Sequence, residues 1–396
     1  MQENENPQVP SPGELAGAFL KLGVTAYGGL AMIEPIRRQV VEAKAWLTQT
    51  EFLDGLALCQ VVPGATVVQL AAYVGYRLRR TTGALVAAAA FIGPAFVLML
   101  GLSFLYFAYG DLPRVRSVSR GLNAVVIALL LQALWGLGQN VRGHRVDLGI
   151  ALAALVALWF RANYLLVFVA AGLLRLVLGR WLPGGQFPTQ EAAPGPGLPR
   201  RRVFVQLAGA CLALAMLLVG LRRLDPELGL LSWTMLKVAT VAFGGGYAMI
   251  PILQWDLVEH LKWLTLKQFL DGILLGFVTP GPIIITATFA GYGIRGVVGA
   301  VVATVSIFLP PVLLIIFLTP FYQKVKGSKM MRPVIQGILA ALVGMLALVT
   351  AQMGVAALTG LTSLLFMAAA SVALIVFRIN LFWIIAAAAC LSLAVF

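Results

Sequence analysis

Two lysines stand where lysines are costly. Lys21 and Lys237 each lie inside a long apolar stretch, seven residues before a run of glycines, Gly28-Gly29 and Gly244-Gly245-Gly246. A charge at the centre of a membrane helix costs about 2.5–3.5 kcal/mol on insertion scales and is usually kept for a reason. Seven residues is close to two helical turns, so each lysine shares a face with its glycine run. Thr25, Tyr27 and Phe243 flank the glycines, and Pro63-Gly64 and Thr279-Pro280-Gly281 interrupt two further apolar stretches, with Thr66 and Gln69 just beyond the first. Consecutive glycines make a helix cheap to unwind, and proline removes a backbone donor while starting the next helix well. The helix N-terminus exposed at such a break offers free N–H groups and about half a positive charge. Ammonium groups, amide N–H groups and hydroxyls would together hold an anion without covalent chemistry.

The expected binding set is therefore Lys21, Thr25, Tyr27, Gly28, Gly29, Pro63, Gly64, Thr66, Gln69, Lys237, Phe243, Gly244, Gly245, Gly246, Thr279, Pro280 and Gly281, with Gln60, Asn123, Thr286 and Thr288 as further neutral polar groups nearby. Asp54 and Asp271 are candidates for a coupling proton, although their places near segment starts equally suit helix capping. Plainer readings compete here: glycine pairs allow close helix contacts, proline gives a kink, and a lysine near a helix end can snorkel to the interface. His144 and His260 fall in connecting loops, and no cluster has metal-ligand spacing, so neither an enzyme nor a bound cofactor or metal is expected. Cys59, Cys211 and Cys390 lie in apolar stretches and read as small hydrophobic residues.

These positions recur in pairs. Gly28-Gly29 returns as Gly244-Gly245, Trp46-Leu47-Thr48 as Trp263-Leu264-Thr265, Pro63-Gly64 as Pro280-Gly281, and Phe160-Arg161 as Phe377-Arg378, always 216 or 217 residues later. Lys21 and Lys237, and Asp54 and Asp271, are such pairs. So constant an offset over so long a unit indicates a whole domain copied head to tail. Sixty per cent of the 396 residues are apolar and only 11 per cent charged, far below the roughly 25 per cent of soluble chains. Strand-like alternation is absent, so an all-α integral membrane protein is expected.

Thirteen apolar runs could cross about 30 Å of hydrocarbon: 15–36, 52–76, 83–108, 118–139, 146–160, 163–179, 203–221, 230–254, 268–293, 297–322, 333–353, 355–376 and 380–396. Segments one to six match eight to thirteen, and the unmatched seventh makes the second copy enter the membrane upside down. The expected organisation is a first repeat over 1–179, a basic linker plus connecting helix over 180–229, and a second, inverted repeat over 230–396, with broken or re-entrant helices at Gly-Gly and Pro-Gly. The excess of Lys and Arg in alternate loops, led by Arg142, Arg145 and Arg200-Arg201-Arg202, puts the N-terminus in the cytoplasm. The net charge of +14 is explained by topology and anionic lipid, so no nucleic-acid partner is inferred. Inverted repeats are the mark of alternating-access carriers with a site near the midplane.

With these features the chain resembles the chromate ion transporter family in its fused two-domain form. The resemblance is carried by Ala242-Phe243-Gly244-Gly245-Gly246-Tyr247-Ala248-Met249-Ile250-Pro251, Phe269-Leu270-Asp271-Gly272, Thr279-Pro280-Gly281-Pro282, and Gly291-Tyr292 leading to Gly296 and Gly299-Ala300. It implies a multi-pass carrier of the bacterial inner membrane that expels chromate or a sulfate-like oxyanion, with membrane lipid around it and homodimerisation left open. The chain departs from the family after the first glycine pair, with Leu30 and Ala31-Met32-Ile33 where fused members commonly carry Pro and then His. A carrier of another small anion such as sulfate, and a non-transporting membrane scaffold or sensor, are the other readings.

Overall fold

The computed structural model describes residues 10–27, 32–109, 113–178, 200–321, 331–377, 379 and 381–395; Gly28 and Gly29 lie outside them. The chain forms α1 (Pro12–Thr25), α2 (Ile33–Arg37, continued as a π-helical turn over Arg38–Ala43), α3 (Gln49–Val61), α4 (Thr66–Tyr109) and α5 (Pro113–Arg142). Then follow α6 (Arg145–Trp159), α7 (Tyr164–Leu178), α8 (Arg200–Leu224), α9 (Pro226–Val241) and α10 (Gly246–Gln254, continued as a π-helical turn over Trp255–His260). The last are α11 (Leu266–Val278), α12 (Thr286–Leu318, entered through a tight turn over Ile283–Ile285), α13 (Met331–Ala357), α14 (Leu361–Ile375) and α15 (Leu381–Val395). Among the described residues four helical stretches are long and apolar enough to cross a membrane: Thr66–Tyr109, Ser117–Gln139, Ile283–Phe321 and Pro333–Ala357.

Local chemistry sets where the helices begin. Ser11 accepts from the Glu14 N–H ahead of Pro12, and Asp225 accepts from the Glu227 and Leu228 N–H groups ahead of Pro226. Thr48 with Glu51, and Thr265 with Gln268, form reciprocal capping boxes at the starts of α3 and α11, each satisfying two orphan backbone donors. Four helices end the same way. Ala26, Val62, Ala242 and Thr279, which follow α1, α3, α9 and α11, all have extended backbone. The glycines and prolines after them prevent the helix from resuming.

The expected crossing over 52–76 is therefore two short helices. α3 and the first limb of α4 run antiparallel, with Gly55 against the Tyr73 ring and Arg77 paired with Glu51. Each is about 20 Å long by helical rise, too short to cross. The run 15–36 likewise divides into α1 and α2, which fold back on one another so that Lys44 Nζ meets Glu14 Oε1 at 2.9 Å. Nor is α4 one rod. The backbone leaves helical geometry at Arg79 and Arg80, and Gly75 then packs so closely on Gly83 that a Cβ on it would lie 2.1 Å from the Gly83 carbonyl oxygen. In α12 the same departure occurs at Arg295 and Gly296, with φ, ψ of −140°, 32° and 56°, −145°, against −139°, 28° and 56°, −145° at Arg79 and Arg80.

Two groups of helices result. α12 packs on α4 and α9, α1 on α4, and α11 on α12. In the other group α13 packs on α5, α6 and α7, while α14 and α15 pack on α5. Small residues allow these close approaches: Gly121 of α5 lies against Ser392 of α15, and Gly337 of α13 against Ala171 and Arg175 of α7. α5 and α13 run antiparallel, since Ile127 lies opposite Gly354 while Leu137 and Leu339 converge on Gly244.

Candidate functional site

The Pro-Gly turns between helices meet the breaks that follow α1 and α9. The Gly64 N–H donates to the Ala242 carbonyl at 2.8 Å, and the Gly281 N–H donates to the Ala26 carbonyl at 3.0 Å. Both glycines sit at positive φ, +129° and +107°, which side chains other than glycine adopt only with strain. There is no room for a side chain either: a Cβ on Gly64 would lie 2.5 Å from Pro311, and one on Gly281 would lie 2.8 Å from Ala95. Each turn is thus seated on a long helix and hydrogen-bonded to a segment far away in sequence.

Between the turns lies a cavity of about 20 Å³, lined by Ala65, Thr66, Val67, Gly246, Tyr247, Pro282, Ile283 and Ile284. These residues are the first turns of α4, α10 and the helix leading into α12, so three N-termini face one space. The first N–H groups of a helix have no partner within it, and three such ends sum to a positive field without any ionised side chain. The space holds about one water; a tetrahedral oxyanion needs it to widen.

The predicted residues divide into three sets. Thr66 and Gly246 line the cavity, while Pro63, Gly64, Thr279, Pro280 and Gly281 form the turns around it. Gln69 braces the first turn, donating from Nε2 to the Pro63 carbonyl at 2.8 Å, and its fully buried Oε1 has no partner among the described residues. Gly244 and Gly245, at φ of +94° and +92°, form the break ahead of α10, with Phe243 half-buried beside them. Farther off, Thr25 donates to the Lys21 carbonyl and Tyr27 stacks near Phe382 of α15, ring centroids 6.3 Å apart. Lys21 is exposed, and no ion pair among the described residues includes it. Gln60 is exposed, whereas Thr288 is buried and bonded to Thr304 at 2.7 Å, and Thr286 donates to the Ile283 carbonyl.

Two expectations change. The capping role open to Asp54 and Asp271 belongs to Thr48 and Thr265; Asp271 lies more than a turn inside α11, 1% exposed. Its carboxylate accepts from the Tyr106 hydroxyl of α4 at 2.8 Å and from Asn123 Nδ2 of α5 at 2.9 Å, with Lys267 Nζ 3.5 Å away. Lys237 is not a free cation. Its Nζ lies 2.8 Å from Oδ1 of buried Asp256, whose Oδ2 accepts from the Tyr164 hydroxyl of α7 at 2.9 Å. Sequence reasoning missed Asp256, and also the buried Asp147–Arg175 ion pair between α6 and α7. The available signal was an unexplained acidic or basic residue inside an apolar run, the same signal that marked the two lysines.

Comparison with known proteins agrees with this architecture. The Chromate transporter family profile matches residues 13–176 and again 229–393. A transporter of Methanocaldococcus jannaschii is 33% identical over 353 residues, 88% of this chain and 85% of the relative. The chromate transport protein of Cupriavidus metallidurans is 31% identical over 338 residues, 84% of this chain and 80% of the relative. That of Pseudomonas aeruginosa is 31% identical over 369 residues, 86% of this chain and 82% of the relative. No solved structure matches the chain. A family profile that fits both parts of an apolar, helical chain identifies it as a multi-pass membrane protein of the chromate transporter family.

Proposed function

We propose that this protein is a secondary carrier that exports chromate or a related oxyanion across the bacterial inner membrane by alternating access, with its N-terminus in the cytoplasm. Two copies of one domain, 1–179 and 230–396, are joined by 180–229 and oppositely oriented in the membrane. The short helix pairs of each copy re-enter from opposite faces, and the anion binds where their turns meet. The observation that carries this reading is the convergence of three helix N-termini, drawn from both parts of the chain, on one cavity. The matched backbone angles at Arg79-Arg80 and Arg295-Gly296 support the duplication, and the antiparallel α5 and α13 support the inverted relation.

The moving bodies are not the sequence halves. Because α5 packs with α14 and α15, and α13 with α6 and α7, the two halves interlock. One body is instead α1–α4 with α9–α12, and the other α5–α7 with α13–α15. Lys21 stands exposed while its counterpart Lys237 is partly buried and paired with Asp256, an asymmetry that fits one side being open and the other closed. Lys21 then supplies positive field to the incoming anion.

Flux of radiolabelled chromate and sulfate into proteoliposomes, with and without an imposed proton gradient, tests this reading. Chromate flux with competition by sulfate is expected. Lys21→Ala should lower the rate by about tenfold or more, the equivalent of at least about 1.4 kcal/mol of lost anion stabilisation, with membrane insertion unchanged. A full rate in this variant removes Lys21 from the site; sulfate flux alone assigns a sulfate carrier; no flux of either anion leaves a scaffold or sensor.

A further inference from the structure

Lys237 is neutralised in a way that Lys21 is not. Its partner Asp256 sits in the π-helical turn after α10, 2% exposed, and takes one donor per oxygen: Lys237 Nζ on Oδ1 and the Tyr164 hydroxyl on Oδ2. A π turn adds a residue to the helix and re-aims the side chains around it; here it turns Asp256 toward α9. At the corresponding places in the other copy, 217 residues earlier or later, Gln39 stands for Asp256 and Leu381 for Tyr164. The lysine is duplicated, but its carboxylate and phenol are not. A buried ion pair gives little net stability over apolar packing, so structure alone gives weak reason to keep this one.

We propose that Asp256 is a switchable counter-ion that couples a proton to the oxyanion: while ionised it occupies Lys237, and once protonated it releases Lys237 to the substrate. The step balances. A proton from water on the loading side adds to the Asp256 carboxylate, and the anion replaces that carboxylate as partner of the ammonium. On the far side the anion leaves, the proton returns to water, and Asp256 closes on Lys237 again. A dianion thus moves with one proton and one net negative charge, so an inside-negative potential still drives export. Among the described residues the ionisable groups that reach Asp256 are Lys237 of α9 and Tyr164 of α7, while Glu259 and His260 on its own turn are exposed. Tyr164 belongs to the opposite moving body, so its hydrogen bond also reports closure on that side. The inference rests on the carrier reading above.

The test uses full-length protein in proteoliposomes, radiolabelled chromate, and a trapped pH indicator. For the native chain the initial rate should rise as the loading side is acidified, with protons moving alongside chromate. Asp256→Asn should keep flux within about threefold, roughly 0.7 kcal/mol, yet lose both the pH dependence and the proton movement. Asp256→Glu should retain both, and Lys237→Gln with Asp256→Asn should lose flux about tenfold or more because the cation on that side is gone while Lys21 remains. A merely structural pair predicts the reverse: the single variant fails, the double variant recovers, and the pH profile is unmoved. That pattern, or unchanged proton coupling in Asp256→Asn, overturns the inference while leaving the carrier reading intact. Absence of chromate and sulfate flux in the native chain overturns both.

Discussion

Valine at Gly281 is expected to abolish oxyanion flux while leaving a protein that still inserts. Three observations act together there. The backbone sits at φ +107°, where a β-branched residue bears of order 1–3 kcal/mol of strain. The new Cβ would lie 2.8 Å from Ala95, inside van der Waals contact, and Ala95 neighbours Pro94 in α4, so neither side yields easily. Relief by either route moves the Gly281 N–H away from the Ala26 carbonyl, 3.0 Å off, and displaces Pro282 and Ile283, which line the cavity. Tenfold in rate corresponds to about 1.4 kcal/mol, so a loss of a hundredfold or more is expected in the chromate flux assay. Gly101→Val in α4, where a Cβ meets nothing within 4 Å, should keep its rate. Equal rates in the two variants would mean that the Pro-Gly turn has no part in the site.

Cross-linking across the two bodies should stop transport, and cross-linking within one should not. Tyr27 and Phe382 lie on opposite sides of the proposed boundary, with ring centroids 6.3 Å apart. Ser232 of α9 and Ser306 of α12 lie in the same body, buried, with hydroxyls 2.8 Å apart. In a background with Cys59, Cys211 and Cys390 replaced, cysteines at 27 and 382 joined by a short bifunctional reagent should reduce flux to that of protein-free liposomes, relative to the same variant before linking. Cysteines at 232 and 306, joined by oxidation, should leave flux unchanged. If the sequence halves moved as units, the second link, which lies within the second half, would be equally harmless, but a link between residues 107 of α4 and 292 of α12, whose rings lie 5.8 Å apart across the halves and within one proposed body, would stop flux; with the interlocked bodies it leaves flux unchanged. Inhibition by the 27–382 link with retained flux in the 107–292 link therefore assigns the boundary to the interlocked bodies, and retained flux with residues 27 and 382 joined would remove that boundary.

Much of this was legible in the sequence because it is written twice. The glycine runs, the Pro-Gly pairs and the two lysines all recur at one spacing, and each acts locally: glycine frees the backbone, proline removes a donor, and a lysine in an apolar run demands a partner. Less was visible where one copy departs from the other. The fold-back inside α4 falls at Arg79-Arg80, without glycine or proline, and only Gly296 in the second copy hints at it. Asp256 and Tyr164 went unnoticed because Gln39 and Leu381 hold their places in the opposite copies, so comparison of the copies passed over them. Interlocking was hidden for another reason. Gly121 of α5 meets Ser392 of α15 from the other half of the chain, and nothing local in either segment specifies such pairing. Segment lengths misled at 52–76, where apolar character continues through a turn that Pro63 and Gly64 impose on the backbone.

The proposed opposed orientation of the two copies is what the carrier reading depends on, and accessibility of their matched ends tests it most directly. Gly143 follows α5 and Thr359 follows α13, 216 residues on, and both are exposed. Single cysteines at these positions in the full-length, otherwise cysteine-free chain, treated with a membrane-impermeant maleimide in intact cells and then after permeabilisation, should report opposite compartments: Thr359→Cys labelled from outside, Gly143→Cys only once the cytoplasm is opened. Labelling of both from the same side would show the copies to be parallel and contradict the inverted arrangement from which the shared anion site is built.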